Sequence, residues 1–199
     1  MKKIILSIFT IATLVIGTTN FSHAAALNHN AATTLTGISN ISNLEIHGNV
    51  TVYISDASTD QVKVYNKYYS ESALVQSKNG TLRISSYAPE KLVVWVSAND
   101  LRSVSAYDNA EVRSFGQLSK IEFSVDLHDS ASAKLDLNAH SAIINVSDQA
   151  KADLSGSADE FTLSHNYAAS VNNYNFSAVH FTENKINFPA VTSEDAIGI

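Results

Sequence analysis

The fold is decided by Val104-Ser105-Ala106-Tyr107-Asp108-Asn109-Ala110-Glu111-Val112 and by three later stretches that repeat its pattern. They are Val125-Asp126-Leu127-His128-Asp129-Ser130-Ala131-Ser132-Ala133, Ile144-Asn145-Val146-Ser147-Asp148-Gln149-Ala150-Lys151-Ala152 and Leu163-Ser164-His165-Asn166-Tyr167-Ala168-Ala169-Ser170-Val171. Aligned on Asp108, Asp129, Asp148 and Tyr167, the copies are 21, 19 and 19 residues apart. Two columns before the corner hold β-formers, among them Val104, Val125, Ile144 and Leu163, and two after it hold Ala or Val. The intervening positions are polar, as in the column Ser105, Asp126, Asn145 and Ser164. Strand, sharp corner and strand at a period near twenty suit a β-solenoid: one coil cannot bury its own apolar side, so coils stack about 4.8 Å apart over a shared core. No amphipathic helix is available to cover a parallel sheet, so only another coil can do so. The expectation is an all-β solenoid with coils of about 19–21 residues.

Upstream of the repeat the alternation continues. Leu44, Ile46, Val50, Val52 and Ile54 alternate with Glu45, His47, Thr51 and Tyr53, and shorter runs appear at Val62-Val64, Leu82-Ile84 and Leu92-Val94-Val96. Period two with turn residues between the runs reads as half-buried strands. Asn79-Gly80 predicts a tight hairpin turn between Gln61 and Ile84. Trp95, inside a continuous apolar run, is expected to be packed rather than presented.

At the N-terminus Lys2-Lys3 precedes an apolar run from Ile4 to Ile16, and Ser22-His23-Ala24-Ala25-Ala26 supplies small residues for cleavage. This is the layout of an export signal. The run's thirteen residues cover about 20 Å, short of a roughly 30 Å hydrocarbon core. The expected organisation is a signal peptide over 1–25, a disordered leader over 26–40, one domain over 41–188 and a tail over 189–199. The mature chain is expected not to span a membrane, and it would reside in the periplasm, on the outer surface or in the medium.

Composition sets the outer limits. Of 199 residues, 13 are Lys or Arg and 19 are Asp or Glu, giving a net charge of −6. Such a chain lacks the basic stripe that nucleic-acid binding requires. With no cysteine there is no disulfide, thiolate nucleophile or zinc-thiolate site. Ser, Thr and Asn total 58, and these residues favour strands, turns and caps over helix interiors.

Three stretches carry a family resemblance: Lys91 to Val112, Ile41 to Ile54, and Ala152 to Asp159. Together they resemble the auto-transporter adhesin, head GIN domain family of bacterial exported proteins, over roughly Ile41 to Phe188. The resemblance implies a right-handed parallel β-helix-like domain and an adhesin-like role. Family members place Gly-Ser-Gly or a similar small triplet at the repeated corner, whereas this chain has Asp108-Asn109-Ala110, Asp129-Ser130-Ala131 and Asp148-Gln149-Ala150. Asp also makes tight corners by bonding backbone amides.

Candidate chemistry is sparse. Asp108, Asp129 and Asp148 would stack as a ladder of carboxylates, for which Ca²⁺ is a conceivable ligand, although an Asp closing its own turn accounts for each. No carboxylate pair, His-x-His, His-Glu-x-x-His or Gly-x-Ser-x-Gly stands out, so no catalytic, cofactor or metal site is expected. Ser155-Gly156-Ser157 reads as a corner between coils. His165 falls in an apolar column, as expected at the end of a stack. The expected ligand surface comprises Ser105, Asp126, Asn145 and Ser164 with Asp108, Asp129, Asp148 and Tyr107, displayed to a glycan or a surface protein. Tyr65, Tyr68, Tyr69 and Tyr87 are further aromatic candidates. Two other readings are an envelope assembly or stress factor that augments partner strands, and a small carbohydrate-active enzyme using Asp126 or Asp129. Oligomeric state is left open by the sequence.

Overall fold

A computed structural model describes residues 32–65 and 73–186. The expected signal segment, the tail and Tyr68 and Tyr69 lie outside these residues. The described chain forms thirteen strands in one sheet and contains no helix. The sheet has two runs that merge at its long strands. One run orders β6 (Thr81–Ser86), β2 (Asn43–Gly48), β8 (Ser103–Ala106) and β10 (Leu118–Leu127); the other orders β7 (Leu92–Ala98), β3 (Val50–Asp56) and β9 (Glu111–Ser114). Both meet at β11 (Ser132–Val146), which is followed by β12 (Lys151–His165) and β13 (Ser170–Lys185).

These pairings are parallel, and their register is that of the repeat. Val104 pairs with Val125, Val125 with Ile144 and Ile144 with Leu163. Val112 pairs with Ala133, Ala133 with Ala152 and Ala152 with Val171. Alternate side chains point to opposite faces, so each apolar column lies on one side of the sheet. Val104, Val125, Ile144, Val112 and Ala131 are fully buried, and all belong to a single hydrophobic cluster. A parallel sheet normally needs both faces covered. Here the sheet curls, and its two runs bury their inner faces in one cluster, while the outer faces carry mostly polar residues and an aromatic patch around Trp95.

The N-terminal part departs from a uniform repeat. The β2–β3 row lies between the β6–β7 row and the β8–β9 row, so the chain leaves after β3 and comes back on the far side. During the excursion β4 (Gln61–Val64) pairs antiparallel with β7, and β5 (Ala73–Lys78) pairs antiparallel with β6. Asn79 and Gly80, both at positive φ, form the tight turn of the β5–β6 hairpin as the dipeptide predicts. Thr33–Leu35, inside the stretch expected to be a disordered leader, instead form β1 against β4. Ser155-Gly156-Ser157 is not a corner: it lies within β12, where Gly156 is in register with Leu137. A Cβ at Gly156 would meet the Leu137 carbonyl at 1.9 Å, so the glycine permits close approach of two rows.

Candidate functional site

The outer face of the β6–β2–β8–β10 run and its continuation into β11 and β12 carries most of the expected ligand surface. Ser105, Asp126, Asn145 and Ser164 stand in register as one outward column, extended upstream by Glu45 and Arg83. Rungs are joined by side chains: the Asn145 amide donates to Asp126 Oδ1 at 2.8 Å, and Arg83 donates to Glu45 Oε2 at 2.8 Å. In the column beside it, Ser103 Oγ donates to Asn43 Oδ1 at 2.7 Å. Hydrogen bonds from Arg83 and His47 hold the Glu45 carboxyl below the usual glutamate range.

Tyr107 is the centre of an aromatic stack. Its ring lies 4.5 Å from His47 at 5° and 4.8 Å from His128 at 3°. Strand spacing sets this geometry, because flat rings at equivalent positions of adjacent parallel strands are held about 4.8 Å apart. His47 and His128 were not singled out in the sequence as Tyr107's neighbours. The signal was present, since matching Leu44 and Ile46 with Val104 and Ala106 puts His47 above Tyr107.

The corner aspartates follow immediately. Asp108, Asp129 and Asp148 all adopt positive φ, between 57° and 59°. Their carboxylates do not close their own turns. Asp129 Oδ2 accepts from the Asp108 N–H at 3.0 Å, Asp148 Oδ2 from the Asp129 N–H at 3.0 Å, and Asp108 Oδ2 from the Gly48 N–H at 2.9 Å. Each carboxylate thus ties the corner amide of the preceding row, and the turns close through backbone bonds such as Ala131 N–H to the His128 carbonyl at 3.0 Å. Gly48 occupies the corner column of the β2 row, at φ 82°. Exposed Tyr87 donates to Asp108 Oδ2 at 3.2 Å; lost hydration, with the nearby carboxylate, pushes its phenol pKa up. Among the described residues no group of three or more His, Asp or Glu is placed to hold a metal ion.

Other polar and aromatic groups lie apart from this face. Asp153 and Asn172 belong to the outer face of the second run, joined at 2.9 Å. His140 pairs with Asp159 at 2.8 Å, and that hydrogen bond raises its pKa. His165 meets Glu183 at 2.9 Å in the last rows, as its place in the column predicts. Trp95 is packed rather than presented, but on the outer face. Its ring is half-buried on the outer face, 5.1 Å from Tyr53 and 4.7 Å from Phe115, with Tyr65 at 6.4 Å. The alternation from Val94 and Val96 already assigns Trp95 outward; the apolar run obscured it. Asp60 braces the opening turn by accepting from the Ile41 and Asn99 N–H groups, both at 2.8 Å.

The outer face offers hydroxyls, amides, carboxylates and one aromatic stack in rows. The comparisons agree with an all-β domain of this kind. No curated protein matches the sequence. Among solved structures, a putative lipid binding protein from Parabacteroides distasonis ATCC 8503 is similar at TM-score 0.62 and 10% identity, over 79% of each chain. A putative adhesin from the same strain gives TM-score 0.58 at 13% identity, over 78% of this chain and 77% of the other. A putative adhesin from Parabacteroides merdae ATCC 43184 gives TM-score 0.54 at 14% identity, over 80% and 78%. At these identities the likeness establishes the fold alone. The sequence itself matches a family over residues 40–186, most of its length. The chain belongs to the family described as "Putative auto-transporter adhesin, head GIN domain".

Proposed function

We propose that the protein is an exported, non-catalytic binding module whose polar face engages a glycan or a surface protein in an adhesin-like manner. The observation that carries this reading is the joined array on one face: the column Ser105, Asp126, Asn145 and Ser164 beside the His47–Tyr107–His128 stack. Hydroxyl and amide groups repeating at strand spacing match the donors and acceptors of an extended polymer, and stacked rings present an aromatic edge beside them. Individual bonds of this kind contribute about 1 kcal/mol each, so useful affinity requires several rungs together. The family membership supports export and surface exposure, as does the signal-like N-terminus. The rows are read as coils of a right-handed β-helix-like solenoid, supported by the 19-residue parallel register from β10 to β12. No cofactor enters this function, and the carboxylates of the corner ladder act on backbone amides.

The test is a glycan array with parallel cell-binding and lipid-vesicle arms, comparing the natural chain with Tyr107→Ala and Asp126→Ala. Binding that falls at least tenfold in both variants, with melting temperature nearly unchanged, is the expected result. Equal binding by all three proteins, or none to any surface at high concentration, would sink the assignment.

A further inference from the structure

Among the described residues β13 has a strand neighbour on one side only. The side chains it turns toward the core occupy columns that are closed one row earlier. Phe161 is 2% exposed and its register partner Phe181 is 50% exposed. Ala158 is buried, whereas Ala178 opposite it is half-buried. Phe176, which packs on Phe161 with ring centroids 4.7 Å apart, is likewise only half-buried. The hydrophobic core is therefore open at this end.

Natural sheets protect such edges with charge, proline, bulges or short strands. From Ser170 to Thr182 β13 has no Lys, Arg, Asp, Glu or Pro, and one register shift, between Asn172 and Asn175, interrupts its pairing with β12. Charge begins at Glu183, in register with Leu163 of the apolar column, and at Lys185, in register with His165; Glu183 pairs with His165. The opposite end of the sheet is treated differently. There β6 and β7 are covered by antiparallel β5 and β4, and the outermost strands β5 and β1 have six and three residues. A sixteen-residue β13 cannot be matched by either of these short edges. What matches it in length and in uncharged character is another β13.

We propose that β13 is the interface of a two-fold homodimer, in which two copies pair their β13 strands antiparallel and cover each other's open core. A two-fold pairing uses the same edge on both copies and closes at two, so it consumes the exposed edge without starting a filament. At about 3.3 Å per residue the uncharged part runs for about 40 Å. An edge of that length, covered on both flanks, reaches the roughly 1,000 Å² that a specific interface needs. The pairing is independent of the ligand assigned to the polar face, and it would join the two copies' outer faces into one longer surface.

The test begins with sedimentation velocity of the mature full-length chain over a concentration series, where a dimer is expected. Because the chain has no cysteine, single cysteines placed in turn at Tyr174, Val179 and Phe181 report on proximity to the axis. At least one should give a disulfide-linked dimer under mild oxidation, while Tyr87→Cys, exposed beside the Asp108 corner, should not. Phe181→Lys should weaken dimerisation at least tenfold; Val179→Lys, at an exposed side chain, serves if the first fails to fold. A monomer at all concentrations overturns the proposal. Hydrogen exchange then says how: β13 amides protected in that monomer would assign the edge to residues 187–199, and free exchange would leave it bare. A dimer that none of the three edge cysteines links would overturn it as well.

Discussion

Asp108, Asp129 and Asp148 set the character of the molecule at the scale of single residues. Each sits in the left-handed region, which costs an ordinary L-residue about 1–2 kcal/mol and which Asp and Asn tolerate best. Each also ties the corner amide one row back. Asp129→Ala should therefore destabilise by about 1–2 kcal/mol from lost backbone tolerance and one lost hydrogen bond. Asp129→Asn should cost less, since it keeps an acceptor oxygen and the backbone preference; urea titration of the three proteins checks the order. The same bonds bear on calcium: with amides already engaging the carboxylates, the melting temperature should not move on adding chelator, and a clear rise with millimolar Ca²⁺ would count against this. Glu45 gives a pH signature. Its carboxyl lies below the usual range through Arg83 and His47, so its stabilising contribution is present above the ordinary glutamate pKa and is lost as pH falls through the lowered folded value. Glu45→Gln should remove that part of the acid dependence, read by unfolding at several pH values. His140 runs the other way: the Asp159 bond favours the protonated ring below the ordinary histidine pKa, and this is lost as pH rises through the raised value.

At the scale of strands and turns, the period-two pattern made β2, β3, β4, β6 and β7 legible, and the repeat did so for β8 and β9, because one face of each is buried and slipping by one residue would reverse it. The corner column was legible for the three aspartates and missed at Gly48. That glycine lies outside the four repeats, and its identity gives no hint that Asp108 and Ser86 lie against it. A Cβ at Gly48 would meet the Ser86 carbonyl at 2.2 Å, and φ there is positive. Gly48→Ala should cost at least about 2 kcal/mol, from backbone strain and displacement of the β6 edge; chemical denaturation measures it. Trp95 is packed, as its apolar run suggests, yet the run does not say on which face. Its neighbours are apolar on both sides, but strand geometry turns it outward, onto Tyr53 and Phe115. Composition of a run is a poorer guide to burial than alternation within it.

At the scale of the whole molecule, each row touches the rows before and after it, so stability is shared mainly between neighbours. Phe123, fully buried at the heart of the cluster, should cost about 3–5 kcal/mol on replacement by Ala. Amide exchange should be slowest in β10 and β11, whose inner faces are closed. Several features were determined by the sequence alone: an all-β chain, parallel stacking at 19–21 residues, inward apolar columns and an outward polar column from Ser105 to Ser164. These follow from spacing, since a repeat of strand, corner and strand has one way to bury its apolar side. Only the tertiary structure decided that the β2–β3 row is inserted between two later rows. It alone placed the corner carboxylates on the preceding row's amides and, among the described residues, gave β13 a single strand neighbour. Those outcomes depend on which distant segments become neighbours, and neither a strand's alternation nor a turn's composition encodes the identity of the row beside it.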